Sequence, residues 1–200
     1  DIALKAATGE PIRECLNCNK GCVDAIQNRK YISCVLNAEN GDEATIAIKP
    51  GEGDKKIAVV GGGIGTAPMF QLTRELAAAG AKPDVFFGFR DTPYCMEEYR
   101  EIANLVKVST DTGAVGFHGF VTQLYDPADY DVVLVCGPTV MMKNAARLCA
   151  EKGTPCFVSM EKKMACGIGA CLGCTCETKG GEGKSVCKNG PVFDATEVFF

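Results

Sequence analysis

Two regimes of hydrophobic patterning divide the chain. Over residues 56–160, short runs rich in Val, Ile and Phe alternate with stretches in which apolar residues recur every three or four positions. That is the pattern of buried parallel strands joined by amphipathic helices. Strands are predicted at 57–60, 85–89, 105–109, 132–136 and 156–160. A first helix is predicted over 68–79, where Met69, Leu72, Leu76 and Ala79 share a face and Gly80 supplies the stop. A second helix is expected after Pro93, and a third over 139–152 with Gly153 as its terminator. The expected fold class is therefore α/β, a five-stranded parallel sheet wrapped by helices. The segments on either side, residues 1–49 and 161–200, are too short to bury cores of their own, so metals or disulfides are expected to fix them. Residues 50–55, rich in Gly and charge, read as a linker, and 44–48 as a short strand before it.

Composition narrows the function. A chain 46% apolar and 23% charged is expected to fold, and a formal net charge of -4 argues against a nucleic-acid surface. No apolar run approaches the length of a membrane span and no signal-peptide pattern is visible, so a cytoplasmic location is expected. The 200 residues begin at Asp1 rather than Met, the expectation being a fragment or a processed piece. The anomaly is 13 cysteines, an odd number that suits a disulfide scaffold poorly and metal ligation better.

Cys166, Cys171 and Cys174, followed by Cys187, have the opening spacing of a plant-type [2Fe-2S] site, and Gly167, Gly169 and Gly173 let the backbone wrap closely round it. A tetrahedral zinc site is the alternative for four thiolates. Gly61, Gly62, Gly63 and Gly65 leave a strand and enter a helix, which presents free backbone N–H groups to a pyrophosphate. Thr66 stands where the usual dinucleotide fingerprint has its third glycine. Arg90 stands where its acidic ribose ligand is expected, so the simple Rossmann reading is disfavoured.

These residues, together with Thr110-Asp111 and Cys136-Gly137-Pro138, resemble the electron-transfer subunit of type B dihydroorotate dehydrogenases over roughly residues 56–200. The resemblance implies a sheet of the ferredoxin reductase NAD-domain type and NAD(P)H bound at Gly61, Gly62, Gly63, Gly65, Thr66 and Arg90. It also places the Cys136, Gly137 and Pro138 turn near the nicotinamide, and implies electrons passing to a separate FMN-containing catalytic subunit. Such a subunit carries a flavin-binding barrel before its nucleotide domain, for which this chain has no room.

The N-terminal quartet, Cys15, Cys18, Cys22 and Cys34, has spacing suited to a [4Fe-4S] cubane, with zinc again the alternative. Residues 12–37 resemble the [4Fe-4S] segment of the NADH:flavin oxidoreductases related to old yellow enzyme, in which an FMN barrel lies upstream. Because a nicotinamide gives up a hydride and a cluster takes single electrons, a flavin must mediate. The expected source is an upstream barrel, a partner subunit, or FAD held on this chain, where the stretch 29–33 only faintly matches a flavin motif. The expected function is an electron-transfer module of an NAD(P)H-dependent oxidoreductase with no acid–base catalytic residue; the rival is a zinc-stabilised docking module. His118 is read as a surface residue in a turn, Cys95, Cys149 and Cys156 as core residues, Cys176 as a bystander to the cluster, and Glu97, Glu98, Arg100 and Glu101 as a solvated helix face.

Overall fold

The computed structural model describes residues 55–198, together with residues 7–9, 26, 27 and 29. The chain divides into two units, Asp1–Pro50 and Gly51–Phe200. The N-terminal cysteine quartet, the linker, the 44–48 strand and nearly all of the 29–33 stretch lie outside the described residues.

Strands β1 (Ile57–Gly62), β2 (Asp84–Phe89), β3 (Leu105–Thr110), β5 (Val132–Cys136) and β6 (Cys156–Ser159) sit where the apolar runs predict them. Helices α1 (Thr66–Ala78), α2 (Met96–Ile102) and α3 (Thr139–Lys152) connect them. The sheet has seven strands rather than five, β4 (Phe117–His118) and β9 (Val192–Asp194) being added, in the order β4-β3-β2-β1-β5-β6-β9. The short β4 extends one edge in parallel, and β9 caps the other edge in antiparallel pairing with β6. Pairs of residues carry too little periodicity to be seen in advance, and β9 pairs only through tertiary contact. His118, expected in a turn, is an exposed residue of β4.

Burial follows the pattern expected of a sheet covered on both faces. Val59, Val85 and Phe87 point to the side covered by α1 and α2, where Tyr99 is fully buried against Phe70 and Phe87. Ala58, Val60, Phe86, Val133 and Val135 point to the other side, under α3. On α1, Met69 and Thr73 are buried and Leu72 and Leu76 pack partly, whereas Ala79 is exposed just past the helix end. The α3 terminator behaves as read: Gly153 takes a left-handed conformation, φ +72°, which costs glycine little.

The C-terminal segment has a hairpin, β7 (Thr175–Glu177) with β8 (Gly183–Ser185), and a single-turn helix α4 (Val186–Asn189). It does not build a separate core. Cys174, Cys176, Val186, Phe193, Ala195 and Val198 join the cluster beneath α3, so the segment borrows burial from the sheet.

Cys149 and Cys156 are buried as expected, but Cys95 is not a core residue. It is exposed at the N-terminus of α2 with φ +60°, and its carbonyl accepts from the Tyr99 N–H. Cys176 is buried and its thiol donates to the Lys184 carbonyl at 3.3 Å, which keeps it in the hairpin. Glu97, Glu98, Arg100 and Glu101 are all exposed on α2.

Candidate functional site

In a parallel sheet the strand order reverses at one point, and the crevice beyond the strand ends at that point is where ligands bind. Here β1 lies between β2 and β5, so the reversal falls at the loop Gly61–Gly65. A cleft of about 390 Å³ opens there, lined by Gly62 and Gly63 of the loop, Arg90 after β2, Asp111 after β3, and Pro138 and Met141 at the start of α3.

The four glycines do different work. A Cβ on Gly61 would lie 2.6 Å from the Phe87 ring, one on Gly62 2.4 Å from the Met141 sulfur, and one on Gly65 2.4 Å from the Cys136 carbonyl oxygen. Those three permit close packing. Gly63 has open space in front of it and φ +52°, so its lack of a side chain serves conformation and approach from the cleft.

Two tyrosines hold the loop. The Tyr94 hydroxyl donates to the Gly63 carbonyl, and the Tyr99 hydroxyl donates to the Thr66 carbonyl at 2.6 Å. Thr66 itself is fully buried at the first position of α1, and its Oγ1 has no hydrogen-bond partner. Thus Gly62, Gly63, Arg90 and Pro138 line the cleft, while Gly61, Gly65, Thr66, Cys136 and Gly137 form the layer behind it. Burial pushes the Cys136 thiol up, only partly offset by its hydrogen bond with Ser159. Burial thus favours the neutral thiol over the thiolate. Ser109, Phe120 and Met141 also line the cleft and carried no sequence motif; their placement at strand and helix ends reveals them.

The cysteine loop starts at the same end of the sheet. Cys136 pairs in register with Ser159, the last residue of β6, so the segment that follows leaves the sheet with only β5 between it and the strand of the glycine loop. Within it the four thiols form two pairs, Cys166 with Cys171 and Cys174 with Cys187. Cys187 also feels Cys166, so the pairs are neighbours. Among the described residues no three ligating side chains close on one ion. Two neighbouring pairs of thiolates suit a two-iron centre, in which each iron takes two cysteines, better than one tetrahedral zinc.

Backbone donors surround the sulfurs. Cys166 Sγ accepts from the Ile168 N–H at 3.5 Å and the Cys171 N–H at 3.4 Å, and Cys187 Sγ accepts from the Gly169 N–H at 3.2 Å. Cys171 Sγ accepts from the Gly173 N–H and Cys174 Sγ from the Cys187 N–H, each at 3.4 Å. Left-handed turns at Gly167, Gly169 and Leu172, with φ of +69°, +80° and +56°, aim these groups inward. The Cys171 and Ile168 amides, followed by the Cys171 thiol, hold Cys166 down to about 6, and the Cys187 amide lowers Cys174. Cys187 moves up, chiefly because it shares a hydrogen bond with Cys174. Such a cradle favours the thiolates that a cluster requires, so the donor set fits [2Fe-2S].

Known proteins resemble this chain. Residues 161–199 match the family described as the iron-sulfur cluster binding domain of dihydroorotate dehydrogenase B. The chain is 48% identical over 147 residues to the dihydroorotate dehydrogenase B (NAD(+)) electron transfer subunit of Clostridium perfringens, covering 72% of this chain and 59% of that protein. The Clostridium acetobutylicum subunit of the same name is 42% identical over 166 residues, covering 80% and 66%. A solved chain from work on flavin-based electron bifurcation by an NADH-dependent reduced ferredoxin-NADP oxidoreductase is 32% identical. It superposes with a TM-score of 0.64, covering 72% of this chain and 54% of that one. The resemblance read from the glycine loop and the C-terminal cysteines therefore holds, and the chain spans about 60% of the length of the curated relatives it matches.

Proposed function

We propose that the chain, a relative of the dihydroorotate dehydrogenase B electron-transfer subunits, takes reducing equivalents from NADH at the Gly63 cleft and delivers single electrons through a [2Fe-2S] centre. The observation that carries this reading is the placement of both sites at one end of the sheet, with β5 ending in the cleft turn and the adjacent β6 leading into the cysteine loop.

In this reading the open backbone at Gly62 and Gly63 receives the pyrophosphate, supported by the positive end of α1. Arg90 and Asp111, across the cleft, contact the adenosine half, and the Cys136, Gly137 and Pro138 turn supports the nicotinamide. No residue moves a proton; the protein's work is to bind and orient. Cys166, Cys171, Cys174 and Cys187 would hold the cluster, which when bound would accept electrons one at a time from a flavin that has taken the hydride. That flavin belongs to a partner subunit, to further chain, or to FAD on this chain. Around the cysteine loop Met164, Ile168 and Leu172 are 48%, 51% and 66% exposed, an apolar rim suited to docking the partner. We assign Cys15, Cys18, Cys22 and Cys34 to a [4Fe-4S] cluster on their spacing alone.

Iron and acid-labile sulfide analysis on anaerobically purified protein, with a visible spectrum, tests the reading. Broad absorption with iron and sulfide in equal amounts is expected. A colourless protein holding zinc would establish the docking-module alternative instead.

A further inference from the structure

Outside the nucleotide cleft and the cysteine loop, a pair of buried thiols lies beneath α3. Cys149 is in the last turn of α3 and is fully buried; Cys156 opens β6 and is 5% exposed. The short connection folds back on itself, with the Thr154 N–H donating to the Cys149 carbonyl at 2.9 Å and the Thr154 hydroxyl donating to the Pro127 carbonyl at 2.9 Å. This sets the two side chains in one buried cluster, close enough for each thiol to shift the other's acidity. Both remain free cysteines.

Two further observations distinguish the pair from ordinary core packing. Cys156 forms part of the wall of a second cleft, about 510 Å³, that runs between α3 and the C-terminal segment and is separate from the glycine loop. The Tyr125 hydroxyl is buried with no hydrogen-bond partner, and Tyr125 packs against the same cluster as both cysteines. It is a donor without an acceptor in a cluster with a group that acquires acceptor character when oxidised.

We propose that Cys149 and Cys156 are a redox-sensitive dithiol, oxidised to an intramolecular disulfide by a small hydroperoxide entering through this second cleft. In the first step a thiolate of the pair attacks one peroxide oxygen. The O–O bond breaks, hydroxide or alkoxide leaves, and the cysteine becomes a sulfenic acid. In the second, the other thiol attacks that sulfur, an S–S bond forms, and the sulfenic oxygen leaves as water. The two cysteines together lose two electrons and two protons, and the peroxide is reduced to water, or to water and an alcohol. Helix α3 is a wall shared by both clefts, since Asn144 lines each of them. Oxidation therefore fastens the far end of the helix whose first turn borders the nucleotide cleft.

The test is peptide mapping of the whole cluster-loaded protein after anaerobic titration with hydrogen peroxide, followed by alkylation of free thiols. Tryptic peptides 148–152 and 153–162 are expected to appear joined, to separate on reduction, and to form before the cluster absorption bleaches. In Cys156→Ser, Cys149 is expected to be captured by a sulfenic acid reagent such as dimedone present while the protein is unfolded, because its resolving partner is gone. Joined peptides of any other pairing, or both cysteines still alkylated as free thiols when the cluster has bleached, overturn the proposal. So does a Cys156→Ser protein whose Cys149 takes up no dimedone.

Discussion

Replacing Gly63 separates conformation from ligand approach in the glycine loop. Its φ of +52° puts any L-residue with a Cβ in the left-handed region, at a cost of about 1–2 kcal/mol, although nothing lies within 4 Å of the added carbon. For a domain of this size that corresponds to a fall in Tm of about 2–8 °C. Gly63→Ala is therefore expected to fold with modest loss, and Gly63→Asn with less, because asparagine tolerates the left-handed region. Both carry a side chain into the path of the pyrophosphate, so calorimetry should show NADH binding weakened at least tenfold, about 1.4 kcal/mol, in each. Gly65→Ala should behave in the opposite sense. Its Cβ would sit 2.4 Å from a backbone oxygen, which no rotamer change relieves, so the loss falls on the fold itself. Wild-type NADH affinity in a folded Gly63→Asn protein would refute the reasoning and move the nucleotide away from this loop.

Other expectations follow from the same structure. Cys171→Ser should remove the paramagnetic signal of the C-terminal centre in reduced protein and leave any N-terminal centre intact, as read by electron paramagnetic resonance. Tyr99→Phe deletes the 2.6 Å hydrogen bond to the Thr66 carbonyl and should cost about 1–2 kcal/mol in denaturant melts, because the carbonyl is left buried. Tyr125→Phe removes a buried hydroxyl that has no partner, so stability should hold or rise by about 1 kcal/mol. The Asp126 carboxylate accepts from the Ala128 N–H and pairs with Lys152, which lowers its pKa. A lowered pKa places its contribution to stability above the unfolded value near about 3.9 and removes it as pH falls through the folded one. Asp126→Asn should thus melt below wild type at neutral pH and converge with it in acid.

The sequence carried the central strands and the three long helices because Val-rich runs and the 3.6-residue repeat are local signals. It also marked all four C-terminal cysteines, whose spacing is itself the chemical signal. What escaped it depends on distant contacts. Strand β9 is three residues that pair with β6 only after the chain has passed the hairpin and α4, and β4 has no length in which to show a period. Cys95 reads as a helix or strand residue beside Met96, yet the turn after Pro93 turns it outward at the helix start. The cleft was legible at Gly62, Gly63, Arg90 and Pro138. Phe120 and Met141 could be placed there only by the strand order, which brings the ends of β2, β3 and β5 round β1.

The proposal that NADH is oxidised at one site and single electrons leave at the other, with a flavin required between them, is tested most directly by rapid-mixing spectroscopy. Protein shown by extraction to contain no flavin, but with its iron and sulfide intact, is mixed anaerobically with NADH while the cluster absorption is followed, then mixed again with added FMN or FAD. The account predicts that the cluster absorption persists with NADH alone and bleaches when flavin is supplied. Bleaching by NADH alone, at a rate typical of enzyme turnover, about 10 per second, would contradict it.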